Sequence, residues 1–202
     1  GGVYGSNPYS YKNEIDFVAI SQTGNSVDFG DLTLGRTNPF AMSSPTRSVL
    51  GGGYHGSSPN GTNIMDFVTI ASTGNAQDFG DLTQINNFAG GTSCSNSTIG
   101  IAMGGREATA STTLTEIQKI TIATKGNAAK FGDLTVAVRS GSAVSSKTRG
   151  VRVAGYVVPS NANSNSMDYF ELATEGDAVD FGDFTRSTSS MGTGTSNDHG
   201  GL

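Results

Sequence analysis

Cysteine, tryptophan and charge are all scarce in this chain of 202 residues. Cys94 is the one cysteine, which excludes an internal disulfide and any cysteine-clustered zinc site. No run of about 18 apolar residues occurs, so we expect no membrane insertion. The net charge of −5 argues against a nucleic-acid partner, because phosphate recognition needs a face rich in Lys and Arg.

Apolar residues are also few, at 35% of the chain, but this does not indicate disorder. Charged residues make up only 14%, so the combination of low hydrophobicity and high net charge that keeps a chain unfolded is missing. The chain has 29 glycines, and it is rich in Ser, Thr and Asn. This composition favours many short strands joined by turns, and a repeated architecture folds with a thin core because each unit buries its face on the next.

Groups that could catalyse a reaction are scarce as well. The two histidines, His55 and His199, belong to no pattern that pairs a base with a nucleophile. An Asp-Phe-Gly triplet at 28–30 lacks the rest of the kinase signature. The glycines of 51–56 fit G-x-G-x-x-G, yet no helix is predicted after them. We therefore expect no catalytic residue, no bound metal and no cofactor.

An internal repeat of about fifty residues dominates what is present. Each copy has an apolar segment, then Gly-Asn or Gly-Asp, then Phe-Gly-Asp followed by Leu or Phe and by Thr. The Asp of the last motif recurs with spacings of 50, 52 and 50 residues, at Asp31, Asp81, Asp133 and Asp183. The repeat units are 1–50, 51–102, 103–152 and 153–202. Chance does not produce this regularity.

Within each copy the pattern is typical of short β-strands. Residues 117–122 show the alternation and the β-branched side chains of a strand. The Gly-Asn pair is predicted to close a tight hairpin turn, because these residues tolerate positive φ. Two further strands are predicted in the first unit, around 40–43 and 47–52. No window has helical spacing with capping residues, so we predict an all-β fold.

Four short strands in about fifty residues match one blade of a β-propeller. We predict one domain over 1–202 built from four antiparallel blades, alone or as part of a larger propeller or array; a β-solenoid is the structural alternative. Either the ring closes by pairing the two chain ends, or the chain is a section of a longer array. The apolar columns are expected to fill the interfaces between blades: Phe17, Phe67, Phe170, Ile20, Ile70, Ile122 and Leu172.

The repeat resembles a kelch blade. A Gly-Gly doublet follows one strand, the next strand carries Asp-Phe or Asp-Tyr, and the Leu-Thr return is followed by Arg36, Arg139 or Arg186. The second unit lacks this arginine. The usual kelch tryptophan is replaced by phenylalanine, at Phe29, Phe79, Phe131 and Phe181.

The string at 73–83 more specifically resembles repeats in kelch-like structural proteins of phages that infect marine cyanobacteria. This resemblance implies a virion component, such as a tail fibre, an appendage or a decoration protein, located on the extracellular particle. A lone thiol at Cys94 suits a particle that is assembled in a reducing cytoplasm and then released.

The repeated Phe and Asp residues are interpreted as structural. One Asp per blade would offer a calcium ligand, but a calcium loop of the EF-hand type gathers several oxygen ligands within about twelve residues. The string Phe-Gly-Asp-Leu-Thr does not supply several such ligands. An Asp after Gly more often accepts backbone N–H bonds in a turn.

The loops after the Gly-Gly doublets are the predicted binding surface, because they differ between units while the strands do not. They cover 3–14, 53–63, 105–116 and 155–166. Tyr9, Tyr11 and His55 are not repeated and are the candidate ligand-binding residues. Aromatic rings with polar tips suit carbohydrate or protein surfaces. A packing role explains the other loop tyrosines equally well, since they share one column of the repeat: Tyr4, Tyr54 and Tyr156.

Two functions remain open at this stage. A virion structural protein would serve as a scaffold or present its loops to a host surface through multivalent contacts. Its partners would be other virion proteins or a host cell-surface glycan or protein, in a multicopy or homo-oligomeric assembly. A secreted or cell-surface microbial lectin-like module is the alternative. A kelch-type copper enzyme is disfavoured, because it needs several His and Tyr ligands and a Cys–Tyr crosslink.

Overall fold

Every element of regular secondary structure in the described part of the chain is a β-strand. The computed structural model describes residues 2–5, 10–57, 59–87, 92–158 and 160–189. All strand pairings are antiparallel, so the predicted all-β class is confirmed. The strands are β1 (Gly2–Tyr4), β2 (Ser10–Lys12), β3 (Glu14–Phe17), β4 (Val27–Asp31), β5 (Phe40–Ser43), β6 (Arg47–Gly51), β7 (Thr62–Thr69), β8 (Gln77–Asn86), β9 (Ser93–Ser95), β10 (Ile99–Met103), β11 (Glu116–Thr121), β12 (Ala129–Asp133), β13 (Val138–Arg139), β14 (Ser142–Ser145), β15 (Arg149–Val157), β16 (Ala162–Glu171) and β17 (Val179–Thr188).

Most strands belong to three similar meanders. The first is β5-β6-β7-β8 and the second is β9-β10-β11-β12. In the third, β14, β15, β16 and β17 follow the same order, and β13 also pairs with β15. Two small sheets, β1-β2 and β3-β4, precede them. Each meander takes its first two strands from the end of one repeat unit and its last two from the next unit.

Each long hairpin is irregular at its Phe-Gly-Asp motif. Between β7 and β8, Met65 pairs with Gly80 and Asp66 pairs with Asp78, so Phe79 is the extra residue of a β-bulge. The same shift occurs in the β3-β4, β11-β12 and β16-β17 hairpins. Gly80 has a φ of 141°, a conformation that favours glycine because it has no Cβ.

The bulge is also where one unit joins the next. The Gly74 N–H donates to the Phe29 carbonyl at 2.7 Å, and the Ala76 N–H donates to the Asp31 carbonyl at 2.8 Å. The Asn75 side chain accepts from the Asp31 N–H at 3.0 Å. We call this set of three bonds the docking interface. It recurs twice, where residues 126–128 dock on Phe79 and Asp81 and residues 176–178 dock on Phe131 and Asp133.

The prediction that the Gly-Asn pairs close a tight turn is wrong. The turn lies earlier in the loop, where the Ser72 N–H donates to the Thr69 carbonyl at 3.3 Å. Among the described residues, no Asn of a Gly-Asn pair has positive φ. The main chain of 74–76 instead runs beside the bulge of the preceding unit, because its N–H groups find their carbonyl partners there.

The apolar core is divided between consecutive sheets. One cluster joins the β5–β8 sheet to the next one through Phe40, Met42, Val49, Met65, Phe67, Phe79, Leu82, Ala102, Ile120 and Ile122. A second cluster joins the β9–β12 sheet to the last one through Cys94, Ile101, Met103, Ile117, Phe131, Leu134, Val138, Ala143, Phe170, Leu172 and Ala178. Each sheet thus buries its face on a neighbour, as in a repeat array.

The residues of the apolar columns were expected to fill the interfaces between blades, but several of them are exposed. Ile122 and Leu172 are 0% and 2% exposed, whereas Ile70 is half-exposed and Ile20 is 100% exposed. Phe17 is exposed as well. The expectation is therefore wrong for Ile20, Phe17 and Ile70. For Ile20 and Phe17 the reason is positional, because in the described part of the chain no unit with a Phe-Gly-Asp motif precedes the first one.

The last unit shows the complementary change. Phe79 is 2% exposed beneath the following unit, but its counterpart Phe181 is 50% exposed. Leu82 is buried and its counterpart Phe184 is exposed. Hence the described part of the array presents two uncovered faces, one on its first unit and one on its last.

Candidate binding surface at the loop edge

Of the four loops predicted to bind a partner, the second, third and fourth each lie against the unit that precedes them. Thr37 and Tyr54 form a β-bridge, the Asn87 N–H donates to the Arg106 carbonyl at 3.0 Å, and Arg139 pairs with Tyr156. Each of these three loops therefore docks on the segment after the preceding Phe-Gly-Asp motif. We call the described parts of all four loops the loop edge: residues 3–5, 10–14, 53–57, 59–63, 105–116, 155–158 and 160–166.

Two tyrosines of the loop edge meet across the boundary between the first two units. The ring centroids of Tyr11 and Tyr54 are 5.5 Å apart and the ring planes are inclined by 54°. The distance lies within the range that aromatic pairs prefer. A Cβ on Gly56 would strike the Tyr11 ring. Glycine at this position therefore permits the contact.

Tyr4 presents an exposed ring on the same part of the loop edge. It lies on β1, which pairs with β2, the strand that carries Tyr11. Tyr4 is 73% exposed, and the Lys12 ammonium lies 6.0 Å from its ring centroid. We call Tyr4, Tyr11, Tyr54 and His55 the tyrosine cluster.

His55 orders its own loop. Its Nε2 lies 3.0 Å from the Gly61 carbonyl oxygen, and because a carbonyl only accepts, Nε2 carries the proton. The bond ties the two ends of the 55–61 loop together beside Tyr54. Of the three residues predicted from sequence, Tyr11 and His55 thus lie in neighbouring loops, and Tyr9 lies outside the described residues.

The third loop carries charged side chains, and the fourth carries an aromatic ring. Burial alone would raise the pKa of Glu107, but hydrogen bonds from Ala110 and Thr109 lower it below the usual value. Glu107 therefore stays ionised and fixes this turn. At the fourth loop the guanidinium of Arg139, a residue of β13, lies 4.9 Å from the Tyr156 ring centroid, within the range of a cation–π contact.

The repeated Phe and Asp residues lie at the docking interfaces. Phe29, Phe79 and Phe131 are buried there, and Phe181 and Asp183 occupy the same positions on the uncovered last unit. The Asp133 carboxylate accepts from Lys130 at 2.7 Å and from Thr115 at 2.9 Å. The bond from Lys130 is the main cause that lowers the pKa of Asp133.

The described residues contain no group of three or more His, Cys, Asp or Glu side chains that could hold a metal ion. No helix in this part of the chain is long and apolar enough to cross a membrane.

Sequence reasoning missed two buried ion pairs. Arg36 and Asp66 are fully buried with 2.5 Å between Nη2 and Oδ2, and Arg152 and Asp168 are fully buried at 2.6 Å. In the intervening unit the same column holds Gln118, also buried. The two arginines come from different positions of the repeat, so no column of the sequence revealed them.

No protein-family model matches the chain, and no curated protein matches it.

Proposed function

We propose that this chain is a set of kelch-like propeller blades in a non-enzymatic virion structural protein. It would act as a tail fibre, an appendage or a decoration protein, and its loop edge would hold a glycan or a protein of the host cell surface. One observation carries this proposal: the molecule is divided between a scaffold that repeats and loops that do not.

The scaffold is the same at three successive boundaries. Each docking interface uses the same three hydrogen bonds, made by the same positions of the repeat. The loops beside these interfaces differ in sequence from unit to unit. A rigid frame that carries variable loops is the usual design of a binding surface.

The tyrosine cluster supplies suitable chemistry for such a partner. The Tyr4 ring offers an exposed apolar face beside the Lys12 ammonium. Tyr11 and Tyr54 provide a packed pair of rings at the boundary between the first two units. Tyrosine rings with polar tips contact sugars and protein surfaces at a low entropic cost, and display in many copies strengthens weak single contacts.

The state of the one thiol supports a binding role rather than covalent catalysis. Cys94 is buried, and burial raises its pKa to about 12. The thiol therefore stays protonated at neutral pH, whereas a nucleophilic cysteine needs a lowered pKa. His55 is engaged by the Gly61 carbonyl.

A glycan array followed by biolayer interferometry against purified host envelope fractions tests the binding role. We expect Tyr4→Ala to weaken binding about tenfold, roughly 1.4 kcal/mol, because it removes an exposed ring without disturbing the core. Val179→Ala is the matched control, since it shortens an exposed apolar side chain outside the loop edge. Equal binding by both variants and the unaltered chain would remove the tyrosine cluster from the proposal.

Protein mass spectrometry of purified phage particles tests the virion role. The chain is expected at a fixed number of copies per particle after repeated density-gradient purification. The lectin-like module remains the second candidate, because the same tyrosine cluster would serve it. It gains support if the chain is found in culture supernatant or on a microbial cell surface and never with particles.

Electron cryomicroscopy tests the propeller arrangement. Four-stranded antiparallel meanders that pack on one another in chain order support it. Views with radially arranged sheets around a channel are expected. Sheets stacked along a straight axis would instead identify a solenoid.

A further inference from the structure

The two uncovered ends of the array carry the two halves of a docking interface. We call residues 24–26 and the equivalent segments 74–76, 126–128 and 176–178 the docking turns, because each follows the turn of its hairpin loop. The docking turn of the first unit, together with the exposed side chains of Val18 and Ile20, forms what we call the start face. The last unit has the bulge with Phe181, Gly182, Asp183 and Phe184; we call these residues the end face. Inside the molecule, every such turn lies against such a bulge.

The main-chain shape of the end face is that of an empty docking interface. At Gly30 and Gly80, an added Cβ would strike the docked glycine carbonyl of the next unit. At Gly182, which has a similar φ of 123°, no atom of the described residues lies within 4 Å of that position. The space that a turn fills elsewhere is therefore open here.

The start face and the end face also carry the side chains that form hydrogen bonds with each other across the internal boundaries. Across the internal boundaries, the Thr33 hydroxyl donates to Asp66 at 2.6 Å and Thr135 donates to Asp168 at 2.5 Å. Thr185 and Asp16 hold these two positions on the end face and the start face, and both are exposed. Apolar residues that would cover one another, Ile20 and Phe181, complete the match.

We infer that the end face of one chain binds the start face of a second copy of this chain and repeats the docking interface between molecules. The association is head-to-tail, so that one surface of each copy meets a different surface of the other. Both faces are exposed in the described part of the same chain, and each has the groups that meet the other at an internal boundary, so a second copy is the partner that satisfies them together. This inference does not depend on what the loop edge binds.

Sedimentation velocity over a concentration series tests the association. The unaltered chain is expected to form dimers and longer species as its concentration rises. Ile20→Glu blocks the start face and Phe184→Glu blocks the end face, and each is expected to raise the dissociation constant at least about tenfold. Val3→Glu is the matched control, because Val3 is an exposed apolar residue outside both faces; it should leave association unchanged.

A mixture of the two blocked variants tests the polarity. The Ile20→Glu chain keeps its end face and the Phe184→Glu chain keeps its start face, so the mixture should regain one-to-one dimers that neither forms alone. Failure of the mixture to associate would overturn head-to-tail binding. A monomer at every concentration, or association that neither variant weakens, would overturn the interface.

Crosslinking separates a second copy from closure within one chain. Asn25→Cys with Asp183→Cys in one chain, treated with a short bismaleimide, should give a ladder of dimers and higher species. The control, Asp31→Cys with Asn75→Cys, spans an internal docking interface and should crosslink single chains only. Cys94 is buried and its pKa is raised to about 12, so it does not compete for the reagent. Crosslinks confined to single chains in the first variant would overturn the inference.

Discussion

Single residues of the Phe-Gly-Asp motif have separate tasks that the structure distinguishes. The phenylalanine is the bulged residue and its carbonyl receives the next unit. The glycine has a positive φ in three units, and at Gly30, Gly80 and Gly132 its missing Cβ leaves room for the docked turn. The aspartate contributes its main-chain N–H and carbonyl to the docking interface. A substitution at any of these positions therefore acts on two units at once.

Gly80→Ala tests the close approach at the bulge. An Ala Cβ would strike the Gly126 carbonyl, and the backbone also has a positive φ of 141°. We expect a loss of about 3 kcal/mol in the free energy of unfolding, measured by urea denaturation. Gly182→Ala has a similar φ but open space around it, so it should cost only about 1 kcal/mol. Equal losses would show that backbone strain alone decides.

The buried pair Arg36–Asp66 provides a second test. Asp66→Gln should cost about 3 kcal/mol of unfolding free energy, because it leaves the Arg36 charge buried without a carboxylate. The next unit has Asn86 and Gln118 at the equivalent positions. The double variant Arg36→Asn, Asp66→Gln should therefore recover most of the loss, to within about 1 kcal/mol of the unaltered chain. Additive losses in the denaturation series would contradict this coupling.

At the scale of elements, the docking turn serves as the edge partner of the preceding hairpin. Its side-chain acceptor is Asn75, Asn127 or Asp177, always bonded to the N–H of an aspartate in the unit before. The turn therefore contributes to the stability of a neighbouring unit as well as its own.

Asn127→Ala removes one such bond and should lower the unfolding free energy by about 1 kcal/mol. It should also speed hydrogen exchange of the Asp81 amide, measured by NMR or mass spectrometry. Asn127→Asp should be nearly neutral, because Asp177 makes the same bond to Asp133. Asn25→Ala is the matched control: its unit has no described predecessor, so stability in dilute solution should not change.

The sequence patterns predicted the strands better than they predicted the contacts between strands and units. The strands at 40–43 and 47–52 were predictable from alternation and are present as β5 and β6. The role of the Gly-Asn pair was not predictable from the sequence, because its side-chain hydrogen bonds reach residues 44 or 46 positions away. The exposure of Ile20 was not predictable either, because Ile20 shares its position in the repeat with residues that are buried. Of the binding surface, sequence supplied the loops but not the contact of Tyr11 with Tyr54.

At the scale of the whole molecule, stability should decrease toward both ends of the array. Units in a repeat array are stabilised by their nearest neighbours, and among the described residues the first and last units each contact only one. In dilute solution, amides of β3, β4 and β17 should therefore exchange faster than those of β7, β8, β11 and β12. Hydrogen-exchange mass spectrometry measures this directly. Uniform protection along the chain would contradict it, and protection that rises at the ends with concentration would accompany self-association.

The docking interface also sets an order in time when the protein is made. The Phe29–Asp31 bulge is covered only after residues 74–76 have been synthesised, because the Asp31–Asn75 hydrogen bond spans 44 positions of the sequence. At a synthesis rate of about 5–20 residues per second, each nascent unit stays uncovered for roughly 2–9 s before its partner leaves the ribosome. The units are thus completed one after another from the N-terminus, and the newest is always the one most open to a wrong partner. A polysome, where several such chains grow side by side, is then where errors of pairing between copies would arise first.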